Sequence, residues 1–95
     1  RNDGNMKITE IIHHFMGPNN RGGLGVMATH TEGDSFIVVS TAICSVNDQY
    51  TKKIACALLD YNREQGHSIL LPISVEKRRK VTHRLLRDFI MTMFG

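Results

Sequence analysis

Tryptophan is missing from the sequence, and proline and cysteine are scarce, with two residues of each. Two cysteines, Cys44 and Cys56, are too few for a disulfide framework, which excludes a small secreted disulfide-rich protein. No apolar run approaches the ~20 residues that cross a bilayer as a helix, which excludes a membrane-spanning protein. No targeting peptide is visible, and together with the unclustered cysteines this predicts a cytoplasmic protein.

The composition is that of an ordinary globular domain. The 95 residues are 41% apolar and 22% charged, which is enough apolar material for the modest core of one domain. The first five residues, RNDGN, are polar or glycine, and Met6 follows them. We therefore expect a polar N-terminal tail at residues 1–5 and a single globular domain over residues 6–95.

Local patterns predict a helix followed by a hairpin in the first half of the chain. Apolar residues of the stretch 6–16 recur at helical spacing, which predicts an amphipathic helix. The alternation over 24–31 predicts a strand, and the β-branched residues of 35–44 predict a central strand covered on both faces. The turn residues at 32–34 separate these two strands, so we expect an antiparallel hairpin.

A helix and a short strand are predicted next. Ser45 is expected to cap a helix that runs to about Gln65 and ends at Gly66. Residues 67–73 predict a strand at a sheet edge, because Pro72 cannot donate to a strand ladder. The strand–helix–strand unit predicts a right-handed crossover between parallel strands. The buried face of the helix is expected to hold Tyr50, Ile54, Ala57, Leu58 and Tyr61.

The last helix is predicted to start after Ser74, its N-cap, and to run to the end of the chain. The element order is then α-β-β-α-β-α, an α/β (α+β) domain with a three-stranded mixed sheet packed with helices. The final turns are apolar beyond one helical face, which predicts a homo-oligomer; the alternative is that this end folds back into the core. The apolar residues concerned are Phe89, Ile90, Met91, Met93 and Phe94.

Positive charge is concentrated in this last helix. The chain has a net charge of +3, and the segment from Ser74 onwards holds six cationic and two acidic residues. Cations that open a helix oppose its dipole, which indicates that they serve to bind an anion such as phosphate. The alternative is a solvated face that maintains solubility. The ligand-binding residues predicted here are Arg78, Arg79, Lys80, His83, Arg84 and Arg87.

A second anion-binding group is predicted at the start of the middle helix. Asn47, Lys52 and Lys53 follow the carboxyl end of the central strand, an edge where sheets with crossover helices commonly bind ligands. The first turn of a helix also presents free backbone N–H groups to an anion. The alternative is an ordinary helix cap with solvated lysines.

Motifs for catalysis and metal binding are not found. The five histidines and two cysteines show no metal-ligand spacing, so no metal and no cofactor are expected. The glycine-rich stretch 17–25 follows a predicted helix and precedes a strand, which is the reverse of a phosphate-binding loop. Cys44 precedes a helix start, where thiols become reactive, but no accompanying signature is present. We therefore predict a protein that is not an enzyme.

The segment 44–55, CSVNDQYTKKIA, resembles a pattern of small phage-encoded proteins. In that pattern a hydrophobic strand ends in Cys-Ser, a polar turn holds Asp, and an aromatic residue and a basic pair open a helix. The segment is similar to compact basic proteins that phages use against host defence, some of which sequester nucleotide second messengers in pockets between protomers. The resemblance implies a ligand class and a place in the host cytoplasm, and it assigns no individual binding residue.

These observations lead to one hypothesis and two alternatives. The hypothesis is a non-enzymatic, homo-oligomeric basic protein that captures an anionic nucleotide, as a phage anti-defence protein would. The first alternative is a nucleic-acid-binding module that uses the basic C-terminal helix. The second is a protein-interaction inhibitor of a host factor. Binding to a nucleic-acid backbone weakens steeply with salt, which distinguishes the first alternative from a nucleotide pocket.

Overall fold

The computed structural model describes residues 7–74 and 80–95. These residues form a four-stranded antiparallel sheet, in the order β1-β2-β3-β4, with one helix on each face. This arrangement confirms the general α+β class and corrects the predicted three-stranded mixed sheet with three helices. In chain order the elements are β1 (Ile8–Met16), a 3-10 turn (Pro18–Asn20), β2 (Arg21–Thr31), β3 (Phe36–Gln49), α1 (Lys52–Glu64), β4 (Ile69–Pro72) and α2 (His83–Phe94).

The stretch 6–16, predicted as a helix, is the edge strand β1 from Ile8 onwards. It pairs with β2 along its whole length, from Ile8 opposite Thr31 to Met16 opposite Gly23. Both faces of the sheet are covered, so apolar residues fall on both sets of alternating positions and imitate helical spacing. Its β-branched isoleucines favour an extended backbone, and pairing with β2 determines the outcome.

The antiparallel hairpin of β2 and β3 is confirmed. Its ladder runs from Thr29 opposite Val38 to Gly23 opposite Cys44, and beyond a shift in register Arg21 lies opposite Gln49. β3 is longer than predicted and continues to Gln49, so the expected helix start at Ser45 is wrong. The N-cap of α1 is Thr51, whose hydroxyl accepts from the Ile54 N–H at 3.4 Å.

The predicted parallel crossover is also wrong, because β4 pairs antiparallel with β3. The 13 residues of α1 bring the chain back by about 20 Å. Asn62 then donates to the Thr41 carbonyl at 2.9 Å, only halfway down β3. A strand that continues in the same direction must run antiparallel to β3. β4 lies at the sheet edge, as Pro72 requires.

Two apolar layers hold the sheet between the helices. On one face, buried residues of β2 and β3 pack against Leu86 and Ile90 of α2. On the other face, Met27 and Ala42 pack against Leu59 of α1. Phe89 and Phe94 pack against the first layer, so part of the apolar end of α2 does fold back into the core. The residues of β2 and β3 in this first layer are Val26, Ala28, Ile37 and Val39.

The start of α2 also differs from the prediction. Its N-cap is Thr82, whose hydroxyl accepts from the Leu85 N–H at 3.2 Å, and the helix begins at His83. Ser74, the predicted cap, follows β4 outside any helix, and residues 75–79 lie outside the described part of the chain. Across residues 7–74 and 80–95, neither helix is long and apolar enough to span a membrane.

Candidate functional site

An open groove lies between the second half of β3 and the first half of α1. Its cavity volume is about 430 Å³. The groove exists because β4 pairs with β3 only as far as Val39, which leaves the rest of β3 with one free edge beside the helix. Ile43, Ile54 and Leu58 form its apolar wall. Its polar side is formed by Ser45, Asp48, Gln49 and Thr51.

Tyr50 anchors the inner end of this groove. It is buried although it lies between two elements, because its ring occupies space left open by glycines of β2. A Cβ atom at Gly23 would lie 2.6 Å from Tyr50 Cδ2, and one at Gly25 would lie 3.0 Å from the Tyr50 hydroxyl. The Tyr50 N–H donates to the Asn20 carbonyl at 2.6 Å. These contacts fix the turn that places β3 and α1 side by side.

The Tyr50 hydroxyl is 2.6 Å from Nδ1 of His14 on β1. Burial lowers the pKa of His14, and the charges of Lys52 and His13 lower it further. Burial raises the pKa of Tyr50, and the neighbouring thiols of Cys56 and Cys44 add to the effect. At neutral pH the phenol therefore keeps its proton, and the pair is satisfied when it donates to an unprotonated Nδ1.

The predicted cations of α1 lie in its first turn and are not themselves among the residues that line the groove. Lys52 and Lys53 are exposed and occupy the first turn of the helix whose residues Thr51 and Ile54 line the groove. The first N–H groups of a helix have no intrahelical partner, and the helix dipole adds positive potential at this end. An anion is therefore favoured here on three grounds: two side chains, free amides and the dipole.

Asn47 was predicted at the helix start, but it is exposed near the end of β3, between the lining residues Ser45 and Asp48. Its carbonyl accepts from Arg21 Nη2 at 3.4 Å, which places a further cation beside it. Arg21 is positioned by its pairing with Gln49, and only the strand register could have indicated this. Asn47 and Arg21 therefore lie beside lining residues of β3, although neither lines the groove itself.

The predicted cations of the C-terminal segment lie elsewhere. Thr9 Oγ1 donates to the Val81 carbonyl at 3.4 Å, so α2 starts beside the beginning of β1. Tyr50 and the groove lie towards the other end of β1, and α1 and α2 cover opposite faces of the sheet. One chain therefore does not bring the two predicted groups together.

Within this second group, His83, Arg84 and Arg87 are exposed on α2. Lys80 is exposed but precedes α2, whereas the helix was predicted to start after Ser74 and to include it. Arg78 and Arg79 lie outside the described residues. The group that the structure describes is a small cationic surface. A second groove, between β4 and α2, is lined by Leu85 and Asp88 of the same helix, and none of these cations is among its lining residues.

Ile54, Leu58 and Tyr61 were expected on the buried face of the middle helix, but the structure exposes all three. Ala57 is exposed as well, and the residues that α1 buries are Ala55 and Leu59. The sequence contains two adjacent apolar stripes on this helix, and periodicity does not show which one faces the sheet. The stripe formed by Ile54 and Leu58 supplies the apolar wall of the groove.

Comparison with known proteins gives no significant match to a family model, a curated protein or a solved structure. In the described part of the chain, no three His, Cys, Asp or Glu side chains lie close enough to hold a metal ion. The Cys44 thiol contacts the carbonyls of Ser45, Asp48 and Gln49 at 3.7–3.9 Å. The function of the chain is therefore inferred from the groove and its rim.

Proposed function

We propose that this protein binds an anionic nucleotide in the groove between β3 and α1, without converting it chemically. The base lies against the apolar wall of the groove, and the phosphate lies against the first turn of α1. The observation that carries this proposal is the juxtaposition of an apolar groove with an exposed cationic helix start. Nucleotides combine a flat, largely apolar body with an anionic end, and the groove has a matching wall and rim.

The polar lining of the groove favours a nucleotide over a simple anion. The Asp48 carboxylate repels phosphate from its own side and accepts hydrogen bonds from an amino group, such as those of a base. Gln49 can both donate and accept at the same side. The phosphate is consequently directed towards Lys52 and Lys53. The volume of about 430 Å³ lies within the range of roughly 300–1,000 Å³ typical of small-molecule sites.

The position of the phage-like segment supports the same proposal. Residues 44–55 supply most of the lining of the groove, from Cys44 to Ala55. A protein that sequesters a nucleotide second messenger during phage infection needs tight binding and no turnover. We propose sequestration as the biological role of the groove. Tight binding then predicts that the protein retains its ligand during purification.

A titration with AMP as the probe, followed by calorimetry, tests the proposal, and native mass spectrometry of freshly purified protein tests for a retained nucleotide. Lys52→Gln and Ile43→Ser are each expected to weaken binding about 5- to 10-fold, which corresponds to ~1 kcal/mol for a lost charged or apolar contact. Both positions are exposed, so the fold is retained. The matched control Arg84→Gln, on the opposite face, leaves the affinity unchanged.

Two outcomes contradict the proposal. The first is a protein that carries no nucleotide and binds neither AMP nor a cyclic dinucleotide probe. The second is an affinity that falls with Arg84→Gln and not with Lys52→Gln. The latter result favours the second candidate, a nucleic-acid-binding surface on α2.

The second candidate rests on the exposed cations at the start of α2. Lys80, Arg84 and Arg87 are all exposed, and Arg84 and Arg87 lie on the same helix, so they are accessible to a nucleic-acid backbone. For duplex DNA, the slope of log affinity against log salt is about −0.9 for each phosphate neutralised. Replacing Arg84 and Arg87 by Gln should reduce that slope by about two if this candidate is correct.

A further inference from the structure

The helix α1 has an exposed apolar stripe that its own chain does not cover. The relative exposure of Ile54 is 60%, that of Leu58 is 43% and that of Tyr61 is 57%. Their spacing of four and then three residues places them one above the other on one side of the helix. Large apolar side chains lined up in this way indicate a surface that meets another protein.

Charge is distributed unevenly along the border of this stripe. Lys52 and Lys53 open α1, and Asp60 and Glu64 lie in its second half. Lys53 and Glu64 are separated by about three helical turns, so both lie on the same border of the stripe, at opposite ends. Asp60 lies 3.7 Å from Arg63, whereas Glu64 forms no ion pair with another described residue.

We propose that a second copy of this chain docks on the stripe, with the two α1 helices antiparallel across a two-fold axis near Leu58. In this arrangement the same border of both helices meets, running in opposite directions. Lys53 of each copy therefore meets Glu64 of the other. In a parallel two-fold pair each border faces the opposite border of the partner at the same height, so Lys53 and Glu64 could not meet. The charge pattern therefore selects the antiparallel arrangement, which also pairs the helix dipoles favourably.

The same arrangement lets the second copy complete the groove. Across the two-fold axis Tyr61 of the second copy lies against Ile54, whose side chain belongs to the apolar wall. An aromatic side chain then borders the open side of each groove. The dimer does not depend on the proposed nucleotide, because its contacts come from the apolar stripe and the two charges.

A charge-exchange experiment on the full chain without ligand tests this proposal. Sedimentation velocity over a concentration series is expected to show a dimer for the unmodified protein. Lys53→Glu and Glu64→Lys are each expected to raise the dimer dissociation constant by on the order of tenfold or more, since each places like charges opposite one another twice. The double variant with both exchanges restores the dissociation constant, because the charge pairs are re-formed with the signs reversed.

The two positions are exposed, so circular dichroism should show the same fold in all variants. Arg84→Glu on α2 is the matched control and leaves the dimer intact. The proposal is overturned by an unmodified protein that stays monomeric at all concentrations, by single exchanges without effect, or by a double variant that remains monomeric. AMP titration of the monomeric variants separates a failure of this proposal from a failure of nucleotide binding.

Discussion

The close approach of Gly25 to Tyr50 allows a quantitative test of how the groove is built. The backbone of Gly25 lies outside the left-handed region, so alanine suits its conformation. An added Cβ would lie 3.0 Å from the Tyr50 hydroxyl, but 3.4 Å from Leu59 Cδ1 and 3.5 Å from Ala55 Cβ. The hydroxyl contact is thus the tight one, and the other two are ordinary van der Waals contacts.

The magnitudes follow from these distances. Gly25→Ala overpacks the site at a cost of roughly 1–3 kcal/mol, offset by roughly 0.4–1 kcal/mol from the reduced freedom of the unfolded chain. Tyr50→Phe removes the hydrogen bond to His14 and costs about 1 kcal/mol. In the double variant the hydroxyl that Cβ would meet is gone. We expect the double variant to be about 1–2 kcal/mol more stable than the sum of the two single effects.

Urea denaturation followed by far-ultraviolet circular dichroism measures all four proteins of this cycle. One protein concentration must be used throughout, because the proposed dimer would make the apparent stability depend on concentration. Independent sites add within roughly 0.3–0.5 kcal/mol. Additive effects within that limit would show that the Tyr50 hydroxyl does not determine the space at Gly25, and the account of the groove's inner end would be refuted.

Three further predictions concern the interior. The pKa of His14 is lowered in the folded protein, so only the unfolded chain binds the proton as pH falls from about 6.5 towards that lowered pKa, and stability is lost over this range. His14→Asn should flatten this part of a plot of urea midpoint against pH. An unchanged plot would contradict the prediction. Leu59→Ala should cost roughly 2–5 kcal/mol in urea denaturation, and the half-exposed neighbour Leu58 less than about 1 kcal/mol under the same change; equal costs would mean that the buried side of α1 is misassigned. The buried Thr29 hydroxyl has no hydrogen-bond partner among the described residues, so Thr29→Val should raise the melting temperature, by ~4–8 °C per kcal/mol gained, and a fall would refute the assignment.

Local patterns in the sequence were sufficient for the β2–β3 hairpin and for the existence of the two helices. They failed for β1, because Ile11 and Phe15 face one core and Ile12 faces the other, and their combined spacing resembles that of one helical face. They also failed for the direction of β4. That direction depends on how far α1 returns along β3, which is set by the length of the helix. The length of the helix was unknown while its start was placed at Ser45 and not at Lys52.

The candidate site was predictable in part for the same physical reason. Asn47, Lys52 and Lys53 are close in sequence, so their proximity needs no tertiary information, but the helix start at Ser45 was wrong and Asn47 lies in β3. That the cations of α2 lie apart from this group could be known only from which face of the sheet each helix covers. The position of Arg21 could be known only from the register of β2 against β3. The apolar wall was missed because α1 has two adjacent apolar stripes, and only packing shows which one is turned away from the sheet.

The strand order has a consequence for the kinetics of folding. Every strand neighbours the strand that precedes it in the chain, so the sheet can grow by closing short loops, which costs little chain entropy at each step. The contact between Thr9 and Val81 instead joins residues 72 positions apart. Docking of α2 should therefore follow sheet formation during synthesis, and until α2 has left the ribosome, the face of the nascent sheet that holds Val26 and Ala28 stays open to chaperones.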